Sequence, residues 1–346
     1  MPGGPWGLTF ALAVVLFALG IGLMEWHWRR YGLVPTVDDS QELWSAERDR
    51  VYPGLAPWSR QKLILVGGSR LLCDADLDVI KARLPDYDVV QLSVIGATPV
   101  AEVQDLADDE GVRGASIVID VAEHALERAY WHDQQAWVAH YQQRRNLAGD
   151  FEIRASAFLR SKLVVANAIV GLSSLLAGHV PKRDYVRYGA DRSCRSDYGL
   201  VDAAKARRER TQRVRQVYGE TRPPDPASWL EQAGEVEAMA RKLVARGNKV
   251  AFFRPPTTGD HWKLDSERYP PALYWDAWEK VASVPAIHFQ QERGLDQFDA
   301  PDGSHLDVSD LPMFSECFVD ALQRHGIVEG SPPERASRCE VRTPPP

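Results

Sequence analysis

Apolar positions along the chain fall into three patterns. From Trp6 to Met24 they follow one another almost without a break, and Trp26 and Trp28 stand just beyond. An α-helix needs ~20 apolar residues to cross a bilayer, and tryptophans gather at its interfaces. We therefore expect an uncleaved membrane span over residues 6–24. Ala18 and Gly20 offer small residues for a signal-peptide cleavage, but no Lys or Arg precedes the run, as a secretory leader would require. No cysteine closely follows it, so no lipid attachment is expected.

The second pattern is a set of short continuous apolar runs: Leu63–Val66, Val89–Val94, Ser116–Val121, Lys249–Phe253 and Ala286–Phe289. Runs of this length, closed by turn residues, suit strands buried on both faces. The third has helical spacing, over 72–84, 99–109, 229–246, 272–283 and 309–325. Strands alternating with helices predict a three-layer α/β/α sandwich around a parallel five-stranded sheet. Such sheets place ligands beyond the carboxyl ends of their strands.

The pattern also divides the chain. Residues 25–60, with Pro35, Pro53 and Pro57 among polar residues, read as a linker with a short helix. The α/β domain spans 61–325, interrupted by a mostly helical insertion at about 124–228, expected as a cap on the sheet's edge or the membrane surface. Leu163–Leu176 within it is apolar but short for a second span. The Pro-rich end, 326–346, is expected to be disordered.

Charge narrows the function classes. A net charge of -7 and the lack of an extended basic stripe argue against a nucleic-acid partner. One helix, Lys205–Arg215, holds six basic residues against Glu209 and is expected to be a solvated face, with contact to anionic lipid or glycan as the alternative. Cys73, Cys194, Cys317 and Cys339 form no CxxC pair, so no metal is expected, and both disulfides and free thiols remain open. His124, His132 and His140 recur every eight residues, too far apart for a helical metal pair. Arg29 and Arg30 after the span favour a cytoplasmic domain by the positive-inside rule, though two charges do not decide the orientation of a large domain.

Two segments carry chemistry. Gly67-Gly68-Ser69-Arg70 follows the first strand, and Asp302-Gly303-Ser304-His305 precedes the last helix. A serine hydroxyl becomes a nucleophile when an imidazole takes its proton, and that imidazole needs a carboxylate to fix its tautomer. Ser69, His305 and Asp302 are the expected catalytic residues. Taken singly, Gly-Gly-Ser is also an ordinary strand-to-helix turn, with its serine a helix cap.

In this order, the two segments resemble the SGNH (GDSL-like) hydrolase superfamily, whose sandwich is flavodoxin-like, over about residues 61–325. Arg254-Pro255-Pro256, Tyr274-Trp275 and Asp302 to Asp307 are similar to its membrane-anchored bacterial members, which serve envelope or exopolysaccharide acylation. The resemblance implies a serine esterase or O-acyltransferase acting on acyl esters, often acetyl, of an envelope glycan. It implies no cofactor, an inner-membrane anchor and a periplasmic domain. Its partners would be an acylated glycan or lipid, the membrane and, for a transferase, a membrane acyl-donor protein. A catalytically degraded glycan-binding scaffold and an anchored lipase or thioesterase are the alternatives.

The resemblance also implies that the amides of Ser69 and Gly96 form an oxyanion hole with an asparagine from a third block. That block here is Val121-Ala122-Glu123-His124, without asparagine, and losing one donor costs roughly 10²- to 10³-fold in turnover. Arg70 and Arg254 are candidate electrostatic substitutes and substrate contacts, with a surface or carboxylate-paired arginine as the other reading of each. His261 and Trp262, on the loop after the fourth strand, are expected to line a substrate groove.

Overall fold

The computed structural model describes residues 6–54, 59–143, 147–167, 170, 174, 178, 180–330 and 339. Five strands, β1 Gln61–Val66, β2 Tyr87–Gln91, β3 Ser116–Asp120, β6 Lys249–Arg254 and β7 Ala286–His288, form one parallel sheet in the order β2-β1-β3-β6-β7. The chain order reverses between β2 and β3, on either side of β1, so the crevice beyond β1 is where such a sheet receives its ligand.

Successive side chains on a strand point to opposite faces, and here both faces are buried. Ile64, Val66, Ile117, Ile119, Val250 and Phe252 share one core, covered by α5 Val100–Asp108 and α9 Pro226–Val244. Leu63, Leu65, Val118, Ala251, Phe253 and Ile287 share the other, covered by α4 Leu77–Arg83 and α12 Leu311–Arg324. Each fully buried aliphatic or aromatic side chain contributes about 1.5–3 kcal/mol, so the two-sided burial holds the layers together. The sheet and its flanking helices form the expected three-layer α/β/α arrangement.

Several expected boundaries shift for local reasons. The helix anticipated over 72–84 is two helices, α3 Ser69–Asp74 and α4, separated where the Asp76 side chain caps the second by accepting from the Asp78 amide at 3.0 Å. Residues 272–283 hold a 3₁₀ turn at Pro271–Leu273 and then the short α11 Trp275–Glu279. The expected linker is largely part of the domain. Within it, α2 Gln41–Arg48 buries Trp44 completely in the first core, where the indole donates to Leu92 O at 2.7 Å.

The insertion holds α6 Gln135–Gln143, α7 Leu147–Lys162 and α8 Ala203–Glu220, together with a two-stranded antiparallel ribbon, β4 Val186–Tyr188 and β5 Cys194–Ser196, that helical periodicity does not reveal. Much of the apolar run Leu163–Leu176 lies outside the described residues. All four cysteines are paired. Cys73 of α3 bonds Cys194 of β5, and Cys317 of α12 bonds Cys339. The buried Cys339 thereby fastens one point of the carboxyl-terminal segment to the domain, while residues 331–338 and 340–346 lie outside the described residues.

Among the described residues one helix, α1 Trp6–Arg30, is long and apolar enough to cross a membrane, with a mean hydropathy of 2.4 over its most apolar window. Its last turns pack against the insertion. Trp28 is buried with Leu33, Val164 and Val170, the Glu25 carboxylate accepts from the Val164 and Val165 amides at 3.0 Å each, and Arg29 donates to Lys162 O at 3.0 Å.

Candidate active site

The carboxyl end of β1 sets the position of Ser69. Gly67 and Gly68 form the turn, and both positions are crowded: a Cβ at Gly67 would lie 2.4 Å from Asp120 Cβ, and one at Gly68 would lie 2.9 Å from Ala97 O. Only glycine allows these close approaches. Ser69 then opens α3, so its amide has no intrahelical acceptor and remains available as a donor. The turn is held from below by Asp120 at the end of β3, whose Oδ2 accepts from the Gly68 amide at 3.1 Å and the Leu71 amide at 3.4 Å. From the insertion, Gln134 Nε2 donates to Gly67 O at 2.9 Å.

The loop before α12 presents the other two residues. Asp302 Oδ1 accepts from the amides of Ser304 and His305, each at 2.8 Å, and Gly303 takes the left-handed φ of +84° that this tight turn requires. Asp302 Oδ2 lies 3.0 Å from His305 Nδ1, and His305 Nε2 lies 2.8 Å from Ser69 Oγ. With the proton on Nδ1, the imidazole donates to Asp302 and accepts from the serine hydroxyl. The two distant sequence segments are thus joined in one continuous relay.

Its electrostatics suit proton transfer. Burial alone would raise the Asp302 carboxyl, but the hydrogen bond and charge of His305, with Arg210 nearby, hold it well below the usual carboxylate range. Burial lowers the His305 pKa; Asp302 opposes this, while Arg210 and Arg70 reinforce it, leaving the imidazole neutral at neutral pH. A neutral imidazole beside an ionised carboxylate is the resting state a general base needs.

Ser69 opens into a cleft of about 340 Å³ lined by Arg70, Gly96, His124, Arg210, Arg213 and His261, among others. Gly96, in the turn after β2, has a φ of +70°, a conformation that strains residues with a Cβ. Of the four side chains expected to meet substrate, Arg70 and His261 line this cleft and two do not. Arg254 is fully buried and held by Glu123 at 3.0 Å and Asp265 at 2.9 Å, which fixes β6 to the loops around it. Trp262 turns away, packing edge-on against Phe289 with ring centroids 5.3 Å apart. Arg254 supports the fold because its guanidinium is already paired, and the half-buried Trp262 packs against the second core.

Four contributions escape sequence reasoning. Arg210 of α8 approaches Asp302 Oδ2 at 3.4 Å and His305 Nδ1 at 3.3 Å, so the basic helix turns one face into the site. Tyr198 stands near Asp302, whose charge helps to raise the phenol's pKa after burial. Asp120 braces the nucleophile turn. His124 enters the cleft, where burial first and then the charge of Arg70 lower its pKa to about 3, so that it stays neutral. Clustering of basic residues at 205–215 was the available signal for Arg210; the others depend on long-range packing. Among the described residues no group of three His, Cys, Asp or Glu is placed to hold a metal.

No family model and no curated protein matches the chain. A solved structure described as "Crystal Structure of TesA" is similar at 14% identity over 76% of this chain and 99% of that chain, with a TM-score of 0.34. A likeness at that level carries no argument about activity. The class of protein is defined by the α/β/α sheet and by the serine, histidine and aspartate joined at its carboxyl edge.

Proposed function

We propose that the chain is a membrane-anchored serine hydrolase or O-acyltransferase of the SGNH type, acting on acyl esters through an acyl-enzyme. The observation that carries this reading is the relay from Ser69 through His305 to Asp302, with contacts of 2.8 and 3.0 Å. Ser69 Oγ attacks the acyl carbonyl while its proton passes to His305 Nε2, and Asp302 stabilises the imidazolium. The amides of Ser69 and Gly96 receive the developing oxyanion, and the neutral His124 supplies an N–H in place of the absent asparagine. The imidazolium protonates the departing alkoxide, leaving acyl-Ser69. His305 then deprotonates water, giving hydrolysis, or an acceptor hydroxyl, giving transfer.

Acetyl esters of an envelope glycan or exopolysaccharide are the substrate class that the resemblance implies. Two observations support a single-pass anchor in the inner membrane with the domain on its outer side. Both disulfides suit an oxidising compartment. The last turns of α1 are built into the insertion through Trp28 and Glu25, which suits a helix that stays with the domain.

The test is turnover of a neutral aryl acetate by the full-length chain in detergent. Ser69→Ala should lower kcat by at least ~10⁴-fold. Equal rates for the two proteins would overturn the assignment.

A further inference from the structure

The cleft beyond Ser69 carries more positive charge than acyl transfer uses. Three guanidinium groups line it, from Arg70, Arg210 and Arg213, and the single carboxylate among its described lining residues is Asp133. Arg210 has a counter-charge in Asp302. Arg70 and Arg213 have neither a hydrogen bond nor an ion pair with any described residue.

This arrangement contrasts with the rest of the molecule, where buried arginines are matched. Arg48 has Asp105 and Asp109, Arg192 has Asp39, and Arg254 has Glu123 and Asp265. Arg70 is half-buried, and a partly desolvated guanidinium without a hydrogen-bonded anion is costly, a cost recovered when an anion arrives; Arg213 is exposed and adds a second charge to the lining. Burial and the neighbouring Arg254 push Arg70 down from its ordinary pKa, while Asp120 and Asp265 pull the other way. An arginine remains charged through such a shift. The cleft's histidines add no competing cation, because burial first lowers His124 to about 3 and His261 to about 4.

The planar guanidinium pairs with carboxylate, phosphate or sulfate oxygens through parallel N–H donors, a geometry a neutral sugar hydroxyl does not match. We propose that the ester taken by this cleft bears an anion, a carboxylate, phosphate or sulfate, close to the scissile bond and held by Arg70 and Arg213. The inference rests on the acyl-transfer reading of Ser69 and supplies its substrate class. It also gives the basic face of α8 a function: Arg210 and Arg213 stand one helical turn apart, Arg210 toward the relay and Arg213 toward the substrate.

The experiment compares matched esters on the full-length protein in detergent. One pair, 4-acetoxybenzoate and its methyl ester, places the anion on the alcohol half. A second, phenyl hydrogen adipate and phenyl hexanoate, places it on the acyl half. After correction for uncatalysed hydrolysis, kcat/KM should favour the anion in at least one pair by roughly tenfold, as one charge-assisted contact predicts. The favoured pair locates the anion. Arg213→Gln, on an exposed side chain, should cut that ratio several-fold.

Ratios near one in both pairs, with turnover that still depends on Ser69, would overturn the inference and leave the hydrolase reading standing. Where no ester turns over, calorimetric titration of the Ser69→Ala protein with the same compounds decides. Binding of the anionic members alone would uphold the anion site while the hydrolase reading falls; equal binding or none would overturn the anion site as well.

Discussion

The carboxyl edge of the sheet and the insertion at 124–228 meet at the same cleft but contribute in different ways. The sheet edge supplies the reacting atoms, with Ser69 after β1 and the Asp302–His305 loop before α12. The insertion supplies the surroundings: Arg210 and Tyr198 around Asp302, Arg213 in the cleft, Gln134 on the nucleophile turn and Cys194 bonded to α3. The strands are fixed by burial on both faces, whereas the insertion's β-ribbon is held by a covalent bond and by side chains that cross to the sheet. The contrast teaches that chemistry and selectivity reside in separately stabilised parts of one chain. If so, damage to the insertion should change stability, pH response and substrate choice before it abolishes turnover.

The largest such effect is expected at the Cys73–Cys194 bond, which closes a separation of 121 residues and joins the helix that begins with Ser69 to the insertion. Replacing both cysteines by serine should cost about 2–5 kcal/mol, read as a lower Tm, and should reduce turnover through a looser nucleophile turn. The Cys317–Cys339 bond spans only 22 residues, so its double serine variant should lose less stability and keep its activity. Alkylation of intact cells followed by mass spectrometry adds a test of location. An outward domain should yield no alkylated cysteine, and four alkylated thiols would contradict the outward placement.

His124 offers a smaller and sharper test, since it lies where the sheet ends and the insertion begins. If its neutral N–H serves the oxyanion, His124→Ala should lower kcat by roughly 10²-fold with little change in KM, and His124→Asn should restore part of the loss. A change of less than about twofold in kcat would remove His124 from the oxyanion hole.

The same contrast explains what the sequence made legible. Continuous apolar runs such as Leu63–Val66 and Lys249–Phe253 announced the strands because a buried parallel strand has to be apolar on both faces. The relay was legible because Gly-Gly-Ser and Asp-Gly-Ser-His each carry local turn chemistry that aims a side chain. Arg254 was open to two readings, site-facing or carboxylate-paired, and the partners that decide for the second, Glu123 and Asp265, lie on elements distant in sequence or after a turn. The packing of α2 was hidden in a Pro-containing stretch, where burial of Trp44 depends on a core assembled from distant segments. The ribbon β4–β5 is only three residues per strand, too short for alternation to register.

The mildest prediction concerns Arg210, where the insertion's charge reaches the sheet's chemistry. Burial lowers the His305 pKa, the Asp302 hydrogen bond and charge oppose that, and Arg210 and Arg70 lower it further. The base must be neutral to act, so a lowered pKa extends activity toward acid, and the acid limb of kcat/KM should lie below the ordinary histidine range. Arg210→Gln removes a cation that disfavours the imidazolium, so the His305 pKa should rise and the acid limb should move to higher pH. Arg210→Lys retains the charge and should move it less. Arg210 is partly exposed, 32% at the side chain, and touches no reacting atom, so the high-pH plateau should fall by no more than about fivefold, the equivalent of a ~1 kcal/mol surface pair. An acid limb that stays fixed, or moves the other way, would show that the insertion's charge does not tune the relay and would confine its part to holding the substrate.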